Sequence, residues 1–446
     1  MPVDKKSKLE MTLRGRTLTA KHRDCPDNPF MVPAVFEDLK HRWNKENILH
    51  TAQDSLFLAD SVALKDFPWA DATVMVPGEA DMHCAYLAKL TGSAILTNDS
   101  DLILHDIGPH GSVVLLHSLE LADTFGARSI EAPLQAVRLH PASLAQRFGL
   151  TDLLRLAYEL KLHPNSKLTE LIRLAKETLE SEGSADYLEF SEEYKKGQEH
   201  AKWEITNSHH LDPRISELVW QYEAQEINPW GEFPQFYLAI LNEDHTRRCA
   251  WENGLSYRVL GYSIFNASRP PSRRFCFIDE FVRRGERIAR NTLAIRDADW
   301  IANEVTAFCA RLRVVRAALG ENATTAKLWR IFALCEIYGW GDSGTSLPKT
   351  KPFSRFLNFG YMGDKADWAD IHLTAQVQAV LYSLRIMKQL VGFTTSANHL
   401  MLEMQDTLMS LPPLHVLMRS RFEMANEHLT EDAAGEFLKR YRQLTR

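Results

Sequence analysis

No stretch of this chain approaches the roughly 18 consecutive apolar residues that a membrane-spanning helix needs, so no membrane contact is expected. An apolar leader is missing too: Met1-Pro2-Val3-Asp4-Lys5-Lys6 has nothing resembling the core of a secretory signal. The six cysteines (Cys25, Cys84, Cys249, Cys276, Cys309 and Cys335) are scattered, with no CxxC spacing, which points away from a structural zinc site and toward free thiols in a reducing compartment. Nuclear or cytoplasmic residence is therefore expected, not secretion. Nucleotide-dependent chemistry has no support, because neither a GxGxxG nor a Walker A loop occurs. Positive charge is not in excess: the formal net charge is −6. Any contact with nucleic acid would need a local basic patch.

What remains is the composition of a folded protein, 45% hydrophobic and 25% charged over 446 residues, enough for two or three domains. The first residues are basic, with Lys5, Lys6, Lys8, Arg14, Arg16, Lys21 and Arg23 ahead of a Pro-marked turn at 25–29. A helix is predicted from Phe30 to about Lys45, burying Val32, Val35, Phe36 and Leu39, with Met31, Met75 and Met82 in cores. Three short apolar runs then read as buried strands: residues 72–76, which stop at Pro77-Gly78, residues 94–97, and residues 112–116. Between the first two lies a helical stretch from Glu79 to Leu90, closed by Gly92. Strand, helix and strand within about thirty residues make a βαβ unit and imply a parallel sheet. Helices are predicted from 141 to 179. Residues 181–205 are rich in Glu, Lys, Ser and Gly and read as a charged linker. Beyond it the spacing is helical throughout, most clearly at Trp368–Val391, where Val377, Val380, Leu381, Leu384 and Val391 share a face. The expected organisation is an α/β domain at 1–180 and a large all-α domain at 206–446.

Two acidic pairs fall where such a sheet binds ligands, at the C-terminal ends of neighbouring predicted strands: Glu79 with Asp81, and Asp99 with Asp101. Four converging carboxylates repel one another, and a divalent cation relieves that repulsion; hard oxygen donors suit Mg²⁺ or Mn²⁺. A pair of such ions about 4 Å apart would activate water and stabilise the leaving oxygen of a phosphodiester. Each residue also has a structural reading. Glu79 and Asp81 suit the first turn of a helix, and Asp99 suits an N-cap. As two acid-x-acid pairs after consecutive strands, they point to function.

Val76-Pro77-Gly78-Glu79-Ala80-Asp81, then Cys84-Ala85, then Ala94-Ile95-Leu96-Thr97-Asn98-Asp99-Ser100-Asp101-Leu102, resembles the internal nuclease motif of the XPG/flap-endonuclease (PIN-like) superfamily. Residues 29–35, 105–108, 242–245 through 250–251, and 283–285 resemble its Asteroid-like, XPG-domain-containing branch. The resemblance implies a PIN-like parallel-sheet nuclease domain in which Glu79, Asp81, Asp99 and Asp101 are catalytic metal ligands. It also places Lys6 and Arg14 where relatives hold the scissile phosphate; an ordinary solvated basic face fits those two residues equally well.

Two departures accompany the match. Relatives draw further carboxylates from an N-terminal strand and an FDG-type turn, and Met1 falls just after that turn, so the nuclease domain is expected to be N-terminally incomplete. Relatives also place an Asp after an apolar helix, ahead of a glycine-rich duplex clamp. Here His163 falls near that Asp, and no glycine occurs between Gly149 and Gly183, so no close backbone grip on duplex phosphate is expected. His163 and His209-His210 read as surface residues, and the tryptophans of the second half as packing.

Two functions follow. One is Mg²⁺- or Mn²⁺-dependent hydrolysis of DNA or RNA, impaired by the missing carboxylates. The other is an idle nuclease fold that binds nucleic acid or recruits protein partners through its helical domain. The retained carboxylates favour the first; the acidic net charge and absent clamp favour the second.

Overall fold

The computed structural model describes residues 29–44, 69–121, 134–177, 184–195, 211–223, 232–320, 323–338, 356, 368–394, 399–417 and 430–444. The basic segment with Lys6 and Arg14, and His209-His210, lie outside them. The chain divides into two compact units, one drawn from 45–65 and 74–210, the other from 1–44, 66–73 and 211–446. No described helix is long and apolar enough to cross a membrane.

The first unit is α/β. Strand Ala94–Thr97 pairs in parallel with Ser112–Leu115, from Ala94 opposite Ser112 to Thr97 opposite Leu115, and Arg138–Leu139 adds an antiparallel third strand. The parallel sheet is thus present, but its first member is not the predicted one. Residues 72–76 form no strand; Met75 is buried while Val74 is exposed. An apolar run becomes a strand only where its backbone joins a ladder, and residues 72–76 belong to none of the sheets. Helix Ala80–Thr91 ends as predicted, with Gly92 left-handed at φ 68° and its N–H on the Ala88 carbonyl. The helix sets Ala85 and Ala88 against Ile95, Leu102, Ile107 and Val113 to form the small core under the sheet. Helices Pro141–Phe148, Leu154–Leu162 and Leu168–Glu177 follow. Residues 185–195, inside the stretch of linker-like composition, form a helix whose Phe190 is buried on Tyr158.

The second unit is mainly helical, as the spacing suggests, but it contains a sheet. Phe277–Arg284 and Arg287–Ala294 form an antiparallel hairpin, with Gln235–Tyr237 parallel on its other side. Helical spacing was the wrong period for those two strands, which pair along their whole length. At the centre stands helix Trp368–Val391, buried on nearly every side. Its predicted face (Val377, Val380, Leu381, Leu384, Val391) joins a core with Phe308, Trp329 and Phe332. Ala375, Ala379, Tyr382, Ile386 and Leu390 face a second core with Trp251, Phe265 and Ile278. Trp251 and Trp329 are packing residues, as expected.

Helix Met31–His41 belongs to this unit, rotated from the predicted face. Phe30, Pro33, Phe36 and Lys40 are buried, whereas Met31, Val32 and Val35 are exposed. An ion pair sets the rotation: Glu37 accepts from Arg385 at 2.7 Å and from the Leu414 N–H at 2.7 Å. Arg385 also grips buried Asp212 with two bonds of 2.7 Å. Burial alone would raise the Asp212 carboxyl, but the Arg385 charge overrides it and holds the group below its usual range.

Glu336, on helix Thr325–Tyr338, goes the other way. Burial pushes its carboxyl up to about 7, although Arg311 and the Tyr257 hydroxyl pull it back. A carboxyl raised on folding stabilises the protein fully below its unfolded value near 4.5 and loses that contribution as pH climbs to about 7. Wild-type stability should therefore fall relative to Glu336→Gln across that window, by on the order of 2 kcal/mol. Urea unfolding of both proteins at pH 5 and pH 8 measures the difference; parallel curves would contradict it.

Candidate carboxylate site

Glu79 is the extended residue that enters helix Ala80–Thr91; its side chain makes no capping bond. The turn before it depends on Gly78, whose φ of +77° suits glycine. Asp81 lies in the first helical turn, half-buried, where the positive end of the helix dipole favours a carboxylate. Its charge, after burial, raises the neighbouring Cys84 thiol.

The second pair leaves strand Ala94–Thr97 through a turn held at three points. The Asp99 N–H donates to Thr97 Oγ1 at 2.9 Å, and the Asp101 N–H donates to Asp99 Oδ1 at 3.1 Å. Asn98 Oδ1 accepts from the His117 N–H at 2.8 Å, tying the turn to the segment just past the neighbouring strand. Asp99 is thus an N-cap, opening the 3₁₀ turn Ser100–Leu104. The structural reading of this residue is real, and it leaves Oδ2 available to a ligand. Asp99 and Asp101 are both exposed.

Behind them sit two aromatic groups that sequence reasoning missed. His105, 8% exposed, follows the 3₁₀ turn and meets Tyr194 edge-on, with ring centroids 5.2 Å apart. Burial lowers the His105 imidazole, while Asp101 and Asp99 oppose that shift. The Tyr194 phenol is pushed up to about 12, first by burial and then by Asp101, Glu193, Asp99 and Asp81. Glu79 stands two residues before Asp81 at the helix entry.

Hard carboxylate oxygens fit a divalent cation by type. Among the described residues, however, no three His, Cys, Asp or Glu side chains gather as a metal-ligating group. His163 is not part of the cluster. It caps helix Leu154–Leu162, half-exposed, with Nε2 4.0 Å from Glu159.

The first unit is thus α/β, with one acid pair at a helix entry and the other at the end of a parallel strand. A family model described as XPG domain containing matches residues 27–295, more than half of the chain, which therefore belongs to that family. No curated protein and no solved structure matches the chain.

Proposed function

We propose that this protein hydrolyses phosphodiester bonds in DNA or RNA with Mg²⁺ or Mn²⁺ held by Asp81, Asp99 and Asp101, with Glu79 beside them. The observation that carries the reading is the placement of one acid pair at the entry of helix Ala80–Thr91 and of the other in the turn that leaves strand Ala94–Thr97. Membership of the XPG family supports it. A bound divalent cation supplies Lewis acidity toward a phosphate oxygen. The carboxylates hold their charge in place because Thr97, Asn98 and the Asp101 amide fix the turn before any ligand arrives, so little reorganisation is needed. Lys6 and Arg14 complete the proposal as phosphate contacts.

A second reading, an idle nuclease fold serving as a binding module, is favoured by the loose spacing of the carboxylates and by the oxygen that Asp99 spends on a backbone amide. Calorimetric titration of Mg²⁺ and Mn²⁺ into the full chain decides between them. The enzyme reading expects binding that weakens at least tenfold in Asp99→Asn/Asp101→Asn. A folded wild-type protein that takes up neither ion would leave only the binding module.

A further inference from the structure

The sheet of the second unit has two edges, and they differ. At the Gln235–Tyr237 edge the Gln221 side chain closes the backbone: its amide donates to the Gln235 carbonyl at 2.8 Å, and its oxygen accepts from the Gln235 N–H at 2.7 Å. The other edge is strand Arg287–Ala294, which pairs on one side only, in unbroken register with Phe277–Arg284. Just past the strand the Ile295 N–H donates to the Cys276 carbonyl at 2.9 Å. Hydrogen-bonded residues alternate along an antiparallel pair, so that bond sets the phase. Leu293, Asn291 and Ala289 bond inward, while Ile288, Arg290 and Thr292 turn their N–H and carbonyl groups away from the sheet. No backbone group among the described residues meets them. None of the strand's residues is buried.

An edge this long, with neither proline nor bulge, is a template for another strand, and its charge selects which. The strand has no acid, and Arg287 and Arg290 are both exposed, as is Arg284 opposite Arg287. Asp279, the acid across from Thr292, accepts from that hydroxyl at 2.5 Å and stands 3.7 Å from Arg290, whose side chain remains 66% exposed. A second copy of the strand would lay arginines beside arginines, and like charges across a ladder are destabilising. An acidic strand meets the opposite charge.

We propose that strand Arg287–Ala294 docks an extended acidic segment of a partner protein, which joins the sheet by strand addition. The outward backbone of Ile288, Arg290 and Thr292 supplies the hydrogen bonds. Arg287 and Arg290, three residues apart, face opposite sides of the sheet and set the preference for acids on both faces of the incoming strand. The surface lies in the second unit and does not depend on the carboxylates of the first.

Hydrogen exchange read by mass spectrometry on the full chain tests it, with the capped peptide Glu-Val-Glu-Glu-Thr-Val-Glu as probe. Peptides spanning 286–294 should gain protection, because the outward N–H groups exchange freely until a strand accepts them. A fully N-methylated probe keeps the charges, loses the donors and should protect nothing. The exposed double change Arg287→Glu/Arg290→Glu should weaken probe binding roughly tenfold by calorimetry. Equal protection by the methylated probe, or equal affinity in the charge-reversed protein, would overturn the proposal. So would folded wild type that shows no gain at 286–294. Protection there that rises with protein concentration alone would assign the edge to a second copy instead, and protection by oligothymidylate but not by the peptide would assign it to nucleic acid; either overturns it.

Discussion

Replacing Arg258 by Met should cost the protein about 3–5 kcal/mol, because it strands a carboxylate that has no access to water. Arg258, on helix Leu255–Ala267, and Glu280, in the middle strand of the second unit's sheet, are both buried to within 1%. The guanidinium meets Glu280 through two bonds, Nε to Oε1 at 2.6 Å and Nη2 to Oε2 at 3.0 Å. Its remaining donor group reaches the Trp251 carbonyl at 3.0 Å and Ser383 Oγ at 2.9 Å. Tyr262 adds a hydroxyl to Glu280 at 2.8 Å. One side chain thus joins two helices, a 3₁₀ turn and a strand.

A buried pair need not be stabilising in itself; its desolvation can cancel its attraction. What is costly is half a pair. Arg258→Met and Glu280→Gln should each lower the urea midpoint followed by tryptophan fluorescence, which reports from Trp251 and Trp329 inside the same unit. The double variant Arg258→Met/Glu280→Leu should recover more than half of the loss. If either single change costs under about 1 kcal/mol, or if the double variant is additive, the two groups are not the coupled clip described here.

The neighbouring pair explains residues whose grouping the sequence hinted at without giving a reason. Glu243 accepts from Arg283 at 2.7 Å and from the Ala250 N–H at 2.6 Å, while Arg283 also reaches the carbonyls of His245, Gly285 and Arg247. The stretches at 242–251 and 283–285 are separate in sequence and one hydrogen-bonded corner in space. Nothing in their local pattern announces that, because an ion pair across 40 residues has no period.

The same distinction runs through the rest of the chain. The helix at Ala80–Thr91, its Gly92 cap and the strand at Ala94–Thr97 were legible because their signals are local: an apolar period, a glycine, a short β-branched run. The place of Asp99 and Asp101 just past that strand was legible for the same reason. Residues 72–76 carry an equally good local signal, but strand formation is settled by a neighbour. Met31, Val32 and Val35 are exposed because a distant arginine turns the helix, not because their own pattern is wrong. Tyr194 was invisible for a third reason. It sits in a charged stretch of linker-like composition, and only the ring contacts with Phe190 and His105 seat it in the first unit.

Gly111→Ala should disable the carboxylate site from a position that touches none of its acids. A Cβ at Gly111 would stand 2.1 Å from the Ile107 carbonyl oxygen and 3.0 Å from the Ile107 carbonyl carbon, and backbone cannot step aside as a flexible side chain can. Ile107, 1% exposed, is anchored in the small core with Ala85, Ala88 and Leu102. The yielding side is then Ser112, which opens the parallel strand opposite Ala94 and receives Arg138 Nε on its hydroxyl at 2.7 Å. Displacing that strand displaces His117 at its far end, and with it the bond that holds Asn98 in the acidic turn. The expected cost is about 3 kcal/mol or more, as for other over-packed buried sites. Gly285→Ala is the natural comparison, since it has a φ of +62° and open space around its Cβ, so only the left-handed backbone penalty of about 1–2 kcal/mol applies. Hydrogen exchange read by mass spectrometry should show peptides spanning 94–121 losing protection in Gly111→Ala while those spanning 277–294 keep theirs. Protection across 94–121 equal to wild type would mean that the turn accommodates a methyl, and that the acidic loop does not depend on the strand behind it.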